Sequence, residues 1–264
     1  MRTVLISEPH LWDSAFKVGG HHYAKAFLER GWRVIFVSNP LNPIALFKFS
    51  KNAEYINRVK LWLRGGQWTL DNKLLTYVPL SLFPTGLRLP GILSRRRHSF
   101  LFPPLNYLLK KHKIELIDLL WLNGAIDGYL LDAVNHDKSI MRIADNYGGY
   151  SNYPHYLLEN FHHALKRVDI AIAASKPVAD SLLPIRHAIH IVRNGVDYEH
   201  FSRDDLTEPL DIQMHSKPRA IYIGAISDWF DWALLNATAL KLPFVQFLII
   251  GSTSMKMKTT HVPD

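Results

Sequence analysis

The sequence predicts an α/β protein in which helices cover both faces of a mainly parallel sheet. Short β-rich runs alternate with longer helical patterns over most of the 264 residues. The strand candidates are apolar throughout, as expected where helices cover both faces of a sheet. The chain is 48% apolar and 20% charged, which is the balance of a globular protein with a large core.

The first elements form a β-α-β unit, and the pattern continues along the chain. The run "TVLIS" predicts a strand over residues 3–7, followed by a helix over 23–30 that ends at Gly31 and a strand over 33–38. After an irregular basic stretch, the sequence predicts a strand in "LLTYVPLSLF", a helix near 105–111, a strand in "ELIDLLWL", a helix over 125–134, a strand in "SIMRIA", a helix in "YPHYLLENFHHALKRV", a strand in "DIAIAAS", a short helix from Pro177 and a strand in "AIHIVRN". Residues 1–196 are therefore expected to fold as one Rossmann-like domain.

The chain changes character after residue 196. Residues 197–217 gather charge and proline and predict an interdomain linker. The run "RAIYIGA" then predicts a new strand, "DWFDWALLNATAL" a helix and "VQFLIIGS" a second strand. We expect residues 218–264 to form an incomplete second domain that stops after one β-α-β unit.

Several kinds of chemistry are excluded by what the sequence lacks. There is no cysteine, and therefore no disulfide framework, thiolate metal site or cysteine nucleophile. Neither the G-x-S-x-G motif of serine hydrolases nor a P-loop is present. The N-terminus has too few apolar residues for a signal sequence, and no run of about 18 uncharged apolar residues follows. We therefore expect a cytoplasmic protein without a membrane-spanning helix.

Positive charge is concentrated in one part of the chain. The formal net charge is +8 and the pI is near 9.5. Residues 44–113, here called the basic belt, hold thirteen Lys and Arg side chains against two acidic ones, with aromatic residues between them. Such a mixture suits an anionic membrane surface, with Arg95, Arg96 and Arg97 as candidate contacts, or single-stranded nucleic acid, and it is also typical of a solvated basic face. No RNA-binding motif accompanies the belt, so nucleic acid is not an expected partner.

The segment between the first strand and the first helix, "EPHLWDSAFKVGG", is longer than a plain connection requires. In open α/β sheets ligands bind beyond the carboxyl ends of the strands, where this segment is expected to lie. Gly19 and Gly20 would let the backbone approach a ligand, and a plain glycine turn into the helix is the alternative. The pattern is not G-x-G-x-x-G, so a dinucleotide cofactor is not expected. His21 and His22 are adjacent instead of four residues apart, so no metal is expected there.

A second candidate is Asp145, in "SIMRIADNYGGYSNYP". It follows a predicted buried strand at its carboxyl end and precedes a stretch rich in Gly, Tyr and Asn. A carboxylate in this position is able to act as a general base or to bind a sugar hydroxyl. Capping of the turn is the structural alternative.

The turn after "RAIYI" is a third candidate. Gly224 and Ser227 precede a predicted helix, whose N-terminal N–H groups suit a diphosphate. Asp228 and Asp231 lie in the same region, where they fit a helix-capping arrangement that disfavours an anion.

Taken in order, these motifs resemble a known enzyme family. The residues that carry the resemblance are the glycine segment before "LERGWRVIFVS", the strand "DIAIAAS" with its helix, "VRNGVDYEHF", and "IYIGAISDWFDWALL" followed by "VQFLIIGS". Over nearly its whole length the chain is similar to GT-B glycosyltransferases, and more narrowly to bacterial enzymes that build exopolysaccharides and other surface glycans, such as the xanthan glucuronosyltransferase group. The resemblance implies a Rossmann-like acceptor domain followed by a Rossmann-like domain for a nucleotide-sugar donor.

The resemblance also implies roles for individual residues. Asp145 occupies the place of the carboxylate base of an inverting enzyme. The acceptor-side segment would hold Gly19, Gly20 and His22, the donor diphosphate would lie near Gly224 and Ser227, and the hinge would consist of Asn194, Gly195 and Asp197. The implied partners are a nucleotide sugar and a glycan or lipid-linked acceptor, with no metal or other cofactor.

Two further expectations concern the whole chain. Enzymes of this family continue well beyond the point where this sequence ends, so we expect the donor domain to be incomplete. If the basic belt binds lipid, the protein would lie on the inner face of the plasma membrane. The alternative function is a non-catalytic α/β module that binds anionic membrane or a polyanion through the basic belt.

Overall fold

The computed structural model describes residues 1–42, 53–83, 97–124, 126–150, 153–204, 207–226 and 230–251. The chain divides into two compact units, Met1–Gly195 and Val196–Asp264. The first unit holds a large sheet with its helices, and the second holds a small α/β arrangement.

The described part of the first unit is built on a sheet of eight strands. In chain order, the described strands of the first unit are β1 (Thr3–Glu8), β2 (Arg33–Ser38), β3 (Gln67–Thr69), β4 (Leu74–Tyr77), β5 (Leu80–Ser81), β6 (Leu101–Phe102), β7 (Ile117–Leu122), β8 (His136–Ile143), β9 (Ile170–Ala173) and β10 (His190–Ile191). Strands β5 and β6 form a separate antiparallel pair, and the other eight form the large sheet. The order across the large sheet is β10-β9-β8-β7-β1-β2-β4-β3, and all neighbours are parallel except β3 and β4. The next strand in the chain, β2, pairs with one side of β1, and the later strand β7 pairs with its other side. The strand order therefore reverses between β1 and β7, and sheets of this kind bind ligands in the crevice at the carboxyl ends of such a strand pair.

Helices cover both faces of this sheet. The α-helices described in the first unit are α1 (Gly19–Glu29), α2 (Ala53–Arg64), α3 (Leu105–Lys111), α4 (Leu130–Ala133), α5 (His155–Arg167) and α6 (Lys176–Leu182), and 3-10 helices span Arg97–Phe100, Asp127–Tyr129 and Tyr147–Gly149. On β1, Leu5 belongs to one apolar cluster and Val4 and Ile6 to another, and all three side chains are fully buried. Since neighbouring strand residues point to opposite faces, both faces of the sheet are covered, and the predicted α/β fold is confirmed.

The prediction that Gly19 and Gly20 lie in a loop is wrong. They form the first turn of α1, which begins four residues before the predicted helix start. The reason is a cap that the sequence pattern does not reveal: the side chain of His21 accepts a hydrogen bond from the N–H of Val18 at 3.2 Å. This contact satisfies one of the N–H groups that a helix start leaves without a partner.

Helix α2 lies in a stretch that was predicted to be irregular. Its apolar residues Tyr55, Val59 and Trp62 recur at helical spacing and pack on the buried side chains of a small cluster, Leu11, Leu41, Val78 and Leu80. The helix predicted over 125–134 is shorter than expected, because its described part consists of the 3-10 turn at 127–129 and the single turn of α4.

The second unit contains one β-α-β arrangement within its described residues. Its elements are α7 (Tyr198–Phe201), α8 (Leu210–Gln213), β11 (Arg219–Ile223), α9 (Trp232–Lys241) and β12 (Gln246–Ile250). Strands β11 and β12 pair in parallel, as predicted. The segment predicted as a linker, residues 197–217, holds the two short helices α7 and α8. Several large apolar side chains are exposed, among them Ile223 at 78% and Leu240 at 76%.

Candidate functional site

Glu8 is the last residue of β1 and is almost completely buried, with 4% of its surface exposed. Its carboxylate accepts hydrogen bonds from the backbone N–H groups of His10 and Gly20. The approach to Gly20 is so close that a Cβ atom there would lie 2.1 Å from Oε2 of Glu8. Burial, followed by the negative charge of Asp127, raises the pKa of Glu8 to about 7. Glu8 therefore gains or loses its proton near neutral pH.

Asp127 is a second buried acid near the carboxyl end of β1. Its Oδ2 atom accepts hydrogen bonds from the hydroxyl of Ser7 at 2.7 Å and from the N–H of Gly124 at 2.9 Å. Burial raises the pKa of Asp127 above its usual range, against the effect of these two donors. Two neighbouring buried carboxyl groups disfavour a second negative charge, so the pair favours a state with one proton.

Asn123 connects the carboxyl ends of β1 and β7. Its side-chain N–H group donates to the carbonyl oxygen of Ser7 at 3.1 Å, and its Oδ1 accepts from Nε1 of Trp121 at 2.9 Å. The backbone N–H of Asn123 also donates to the Ser7 hydroxyl at 3.3 Å. The crevice edge between the two strands is thus held by side-chain contacts in addition to the sheet.

Arg142 is a buried cation on β8, with 7% of its surface exposed. Its Nε donates to the hydroxyl of Tyr23 on α1 at 3.2 Å, and its guanidinium lies 5.2 Å from the centre of the Tyr23 ring. Its Nη2 donates to Oδ1 of Asn194, and its Nη1 lies 3.2 Å from the position that a Cβ of Gly19 would take. Arg142 therefore joins β8, the start of α1 and the last residues of the first unit.

Asp145, the predicted base, lies two residues after the end of β8 and is exposed. It precedes the 3-10 turn that begins at Tyr147. Burial, followed by the negative charges of Asp145 and Asp127, raises the pKa of the Tyr147 hydroxyl. The Tyr147 ring stacks on Tyr153 at 5.6 Å and contacts the edge of Phe161 at 5.2 Å. The structure thus places an accessible carboxylate at the carboxyl edge of the sheet, near a packed aromatic cluster.

The two adjacent histidines have different surroundings. His21 is buried, and its Nδ1 accepts from Val18 while its Nε2 lies 2.9 Å from the carbonyl oxygen of Leu11, which assigns the proton to Nε2. Burial lowers the pKa of His21, so it is a neutral structural residue. His22 is exposed and lines a groove of about 600 Å³ beside α1, together with Trp12 and Lys25.

The remaining predicted site residues lie elsewhere in the chain. Asp197 caps α7 by accepting the N–H of His200 at 3.1 Å, and Asn194 is held by Arg142. Gly195 follows Asn194 as the last residue of the first unit, and Gly224 directly follows β11 and donates its N–H to Ile250 at 3.0 Å. Ser227, Arg95 and Arg96 lie outside the described residues, and Arg97 begins a 3-10 turn.

Sequence reasoning missed Glu8, Asp127 and Arg142. Glu8 carries the same signal that identified Asp145, an acid at the carboxyl end of an apolar strand. Arg142 stands out as a cation within the apolar run "SIMRIA". Asp127 has no such signal, because its partner Ser7 is distant in the sequence and comes close only in the folded chain.

No group of three or more His, Asp or Glu side chains among the described residues is arranged to hold a metal ion. None of the described helices is both long and apolar enough to cross a bilayer.

The family profile described as the N-terminal domain of glucuronosyltransferase GumK matches residues 5–174, which is more than half of the chain and most of its first unit. Comparison with curated proteins yields no significant match.

Solved structures give a likeness in fold. A glycosyltransferase from Rickettsia africae superposes with a TM-score of 0.50 at 12% identity, over 95% of this chain and 69% of the other. A sucrose-phosphate synthase from Thermosynechococcus elongatus gives a TM-score of 0.45 at 10% identity, over 76% of this chain and 93% of the other. The Rickettsia structure supports the predicted GT-B-like α/β fold.

Proposed function

Because this chain belongs to the family of the N-terminal domain of glucuronosyltransferase GumK, we propose that it transfers a sugar from a nucleotide-sugar donor to a glycan acceptor. The proposed acceptor is lipid-linked, and the proposed role is the synthesis of a surface polysaccharide. The first unit would bind the acceptor. The second would bind the donor diphosphate near Gly224 and Ser227, with Asn194, Gly195 and Asp197 as the hinge.

The observation that carries this proposal is the exposed carboxylate of Asp145 beyond the end of β8. In the proposed reaction, an acceptor hydroxyl attacks the anomeric carbon of the nucleotide sugar. A new C–O bond forms, the bond to the diphosphate breaks, and the hydroxyl proton passes to Asp145. The nucleoside diphosphate leaves with the bonding electrons, and attack opposite to the leaving group inverts the anomeric configuration.

The test follows release of UDP or GDP from a panel of nucleotide sugars in the presence of acceptor. We expect Asp145→Asn to lower the rate of transfer by about 10²-fold or more, because a positioned general base contributes on that order. Asp180→Asn is the matched control, since Asp180 is an exposed carboxylate on α6 that pairs only with Lys176 among the described residues. Transfer that survives Asp145→Asn at the parent rate would remove Asp145 as the base.

A second candidate function is binding of an anionic membrane surface by the basic belt. It is favoured by the concentration of thirteen Lys and Arg side chains in residues 44–113. Such binding would hold the enzyme on the inner face of the plasma membrane, or would be the whole function of a non-catalytic module.

A further inference from the structure

Arg142 is a buried cation without an acidic partner. It is the second-last residue of β8, and within the described ranges no carboxylate forms an ion pair with it. Burying an unpaired charge is costly, so its remaining contacts must compensate for the lost hydration. These contacts show which parts of the first unit Arg142 holds together.

The guanidinium of Arg142 joins α1 to the C-terminal end of the first unit. One edge of the group bonds the Tyr23 hydroxyl, and Nη2 donates to the side-chain oxygen of Asn194. Nη1 reaches the first turn of α1, where a Cβ at Gly19 would lie 3.2 Å from it. Both oxygens that accept from Arg142 belong to neutral groups, so neither of them balances its charge.

The same turn of α1 receives Glu8 from the other side. The N–H of Gly20 donates to the Glu8 carboxylate, and a Cβ at Gly20 would lie 2.1 Å from Oε2. Glu8 and Arg142 thus approach two neighbouring glycines, one from β1 and the other from β8. A side chain at either glycine would crowd one of the two charged groups. The opposite charges of Glu8 and Arg142 attract each other across this turn.

The other elements packed on Glu8 add one more charged group. Asp127, which follows β7, is a buried acid that disfavours the negative charge of Glu8. Helix α1 and the segment after β1 contribute the backbone N–H groups of Gly20 and His10. His21, the titratable residue of the same helical turn, is neutral and is bonded within the segment before α1.

The charge of Glu8 therefore determines how strongly Arg142 is bound to its neutral acceptors. While Glu8 carries its proton, Arg142 is attracted to no ionised carboxylate of β1, and the oxygens of Tyr23 and Asn194 are its acceptors. Ionisation of Glu8 places a negative charge beside the same turn, and attraction to this charge opposes the bond to Asn194. Such an effect is large in a buried cluster, because the surroundings screen it weakly.

We propose that Arg142 is a positioning residue of the proposed transferase, which holds Asn194 and the start of α1 firmly while Glu8 is protonated and less firmly when Glu8 is ionised. Its role in the reaction rests on the proposed function, in which Asn194 belongs to the hinge and Asp145 follows three residues after Arg142. The coupling between Glu8 and Asn194 is a property of the first unit and does not depend on that function.

The test follows two NMR signals of the full chain across the neutral pH range. They are the side-chain carboxyl carbon of Glu8, assigned by its loss in Glu8→Gln, and the side-chain amide of Asn194, assigned by its loss in Asn194→Ala. Both signals of the parent should change with the same midpoint. Arg142→Gln should raise the pKa of Glu8 by about one unit, the lower end of the effect of one nearby opposite charge, and should abolish the pH response of Asn194.

Two further variants control for charge and for folding. Lys138→Gln makes the same change of charge on the same strand and face, at an exposed residue, and should leave both signals as in the parent. Arg142→Lys keeps the charge but not the planar set of donors, so it should keep the Glu8 midpoint and lose the Asn194 response. If Arg142→Gln does not fold, Glu8→Gln decides, because the Asn194 signal should respond to pH only in the parent.

The outcomes separate this inference from the proposed function. An Asn194 signal of the parent that does not follow Glu8, or a Glu8 midpoint that Arg142→Gln and Lys138→Gln change equally, would overturn the coupling. Where transfer occurs, the pH profile of kcat should contain a step at the Glu8 midpoint that Glu8→Gln removes. A profile without this step would overturn the role of Arg142 in the reaction and leave the proposed function standing. If the two signals are coupled but no donor supports transfer, the coupling stands and the proposed function fails.

Discussion

At the residue scale, the main feature of this protein is a buried acid at the end of its central strand. Glu8 is tolerated there because two backbone N–H groups donate to it and because Gly20 has no Cβ to exclude it. Arg142 attracts its negative charge, but burial and Asp127 outweigh these effects. An acidic group whose pKa is higher in the folded protein than in the unfolded chain lowers the free energy of unfolding once the pH is high enough to ionise the group in the unfolded chain.

Replacing Glu8 with Gln should therefore change how stability depends on pH. The folded protein binds the Glu8 proton up to a pH of about 7, whereas the unfolded chain releases it near 4.5. Between these values the parent loses stability as the pH rises, by roughly 3 kcal/mol in total at one pKa unit per 1.36 kcal/mol. Glu8→Gln removes this loss, so the variant should gain stability relative to the parent from pH 4.5 to pH 8.

The measurement is urea unfolding followed by tryptophan fluorescence at both pH values. Glu29→Gln is the control, because it makes the same substitution at an exposed residue at the end of α1. The free energy of unfolding of Glu8→Gln is compared with that of the parent at each pH. If the difference is the same at pH 4.5 and pH 8, Glu8 does not titrate in this range. Asp127 interacts with Glu8, so the titration of Asp127 also changes in the variant and the measured difference belongs to the pair.

At the scale of elements, α2 depends on tertiary contacts more than on its own sequence. None of its residues is fully buried, and its position follows from the Arg58 bonds to Pro9 and Asn39 and from partly buried side chains on the small apolar cluster. A helix of 12 residues is marginal in isolation. Its stability should therefore respond strongly to the loss of the Arg58 anchor.

The corresponding prediction is that Arg58→Ala loosens α2 while the sheet stays folded. The change removes two hydrogen bonds from a charged group, and each such bond contributes about 1.5–3 kcal/mol. Amide hydrogens of residues 56–64 should exchange at least about 100-fold faster, since the two bonds together contribute about 3–6 kcal/mol and 1.4 kcal/mol corresponds to one factor of ten. Lys60→Ala is the control on the same helix, because Lys60 is exposed. Exchange rates in α2 that are equal in both variants would contradict the anchoring role.

At the scale of the whole molecule, the uneven distribution of charge is the main unassigned feature. The described part of the belt includes α2, where Lys60 and Arg64 are exposed, and Lys110 and Lys111 at the end of α3. Cations near an anionic surface each contribute about 1 kcal/mol. Several of them acting together would be enough to hold the chain on a membrane at low ionic strength.

Neutralising Arg95, Arg96 and Arg97 to Ala together should weaken binding to vesicles of phosphatidylglycerol and phosphatidylcholine. Three charges correspond to about 3 kcal/mol, which is on the order of a 100-fold loss in partitioning. Co-sedimentation with vesicles at low and high salt measures this loss in partitioning. A variant in which Lys138, Lys166 and Lys176, all outside the belt, are replaced by Ala is the control for net charge. Unchanged co-sedimentation of the Arg95, Arg96 and Arg97 variant would exclude these residues as the membrane contact.

The sequence by itself was sufficient for the fold class, for most strands and for the family. The strands of a doubly covered sheet are continuous apolar runs, as in "RVIFVS", and this local signal depends only on the residues of each strand. Helix α2 and the start of α1 were less predictable, because the groups that stabilise them, Arg58 with Pro9 and His21 with Val18 and Leu11, act through contacts outside the simple periodic pattern.

Only the tertiary structure decided which polar residues meet at the ligand edge. Asp145 was a candidate from the sequence because it directly follows the apolar run "SIMRIA". Ser7 and Asp127 are 120 positions apart and come together only when β1 and β7 pair. Arg142 and Asn194 are joined in the same way across 52 positions. Hydrophobic periodicity is a property of neighbouring residues, whereas the protonation of Glu8 and the contact between Arg142 and Asn194 depend on burial and on distances between separate elements.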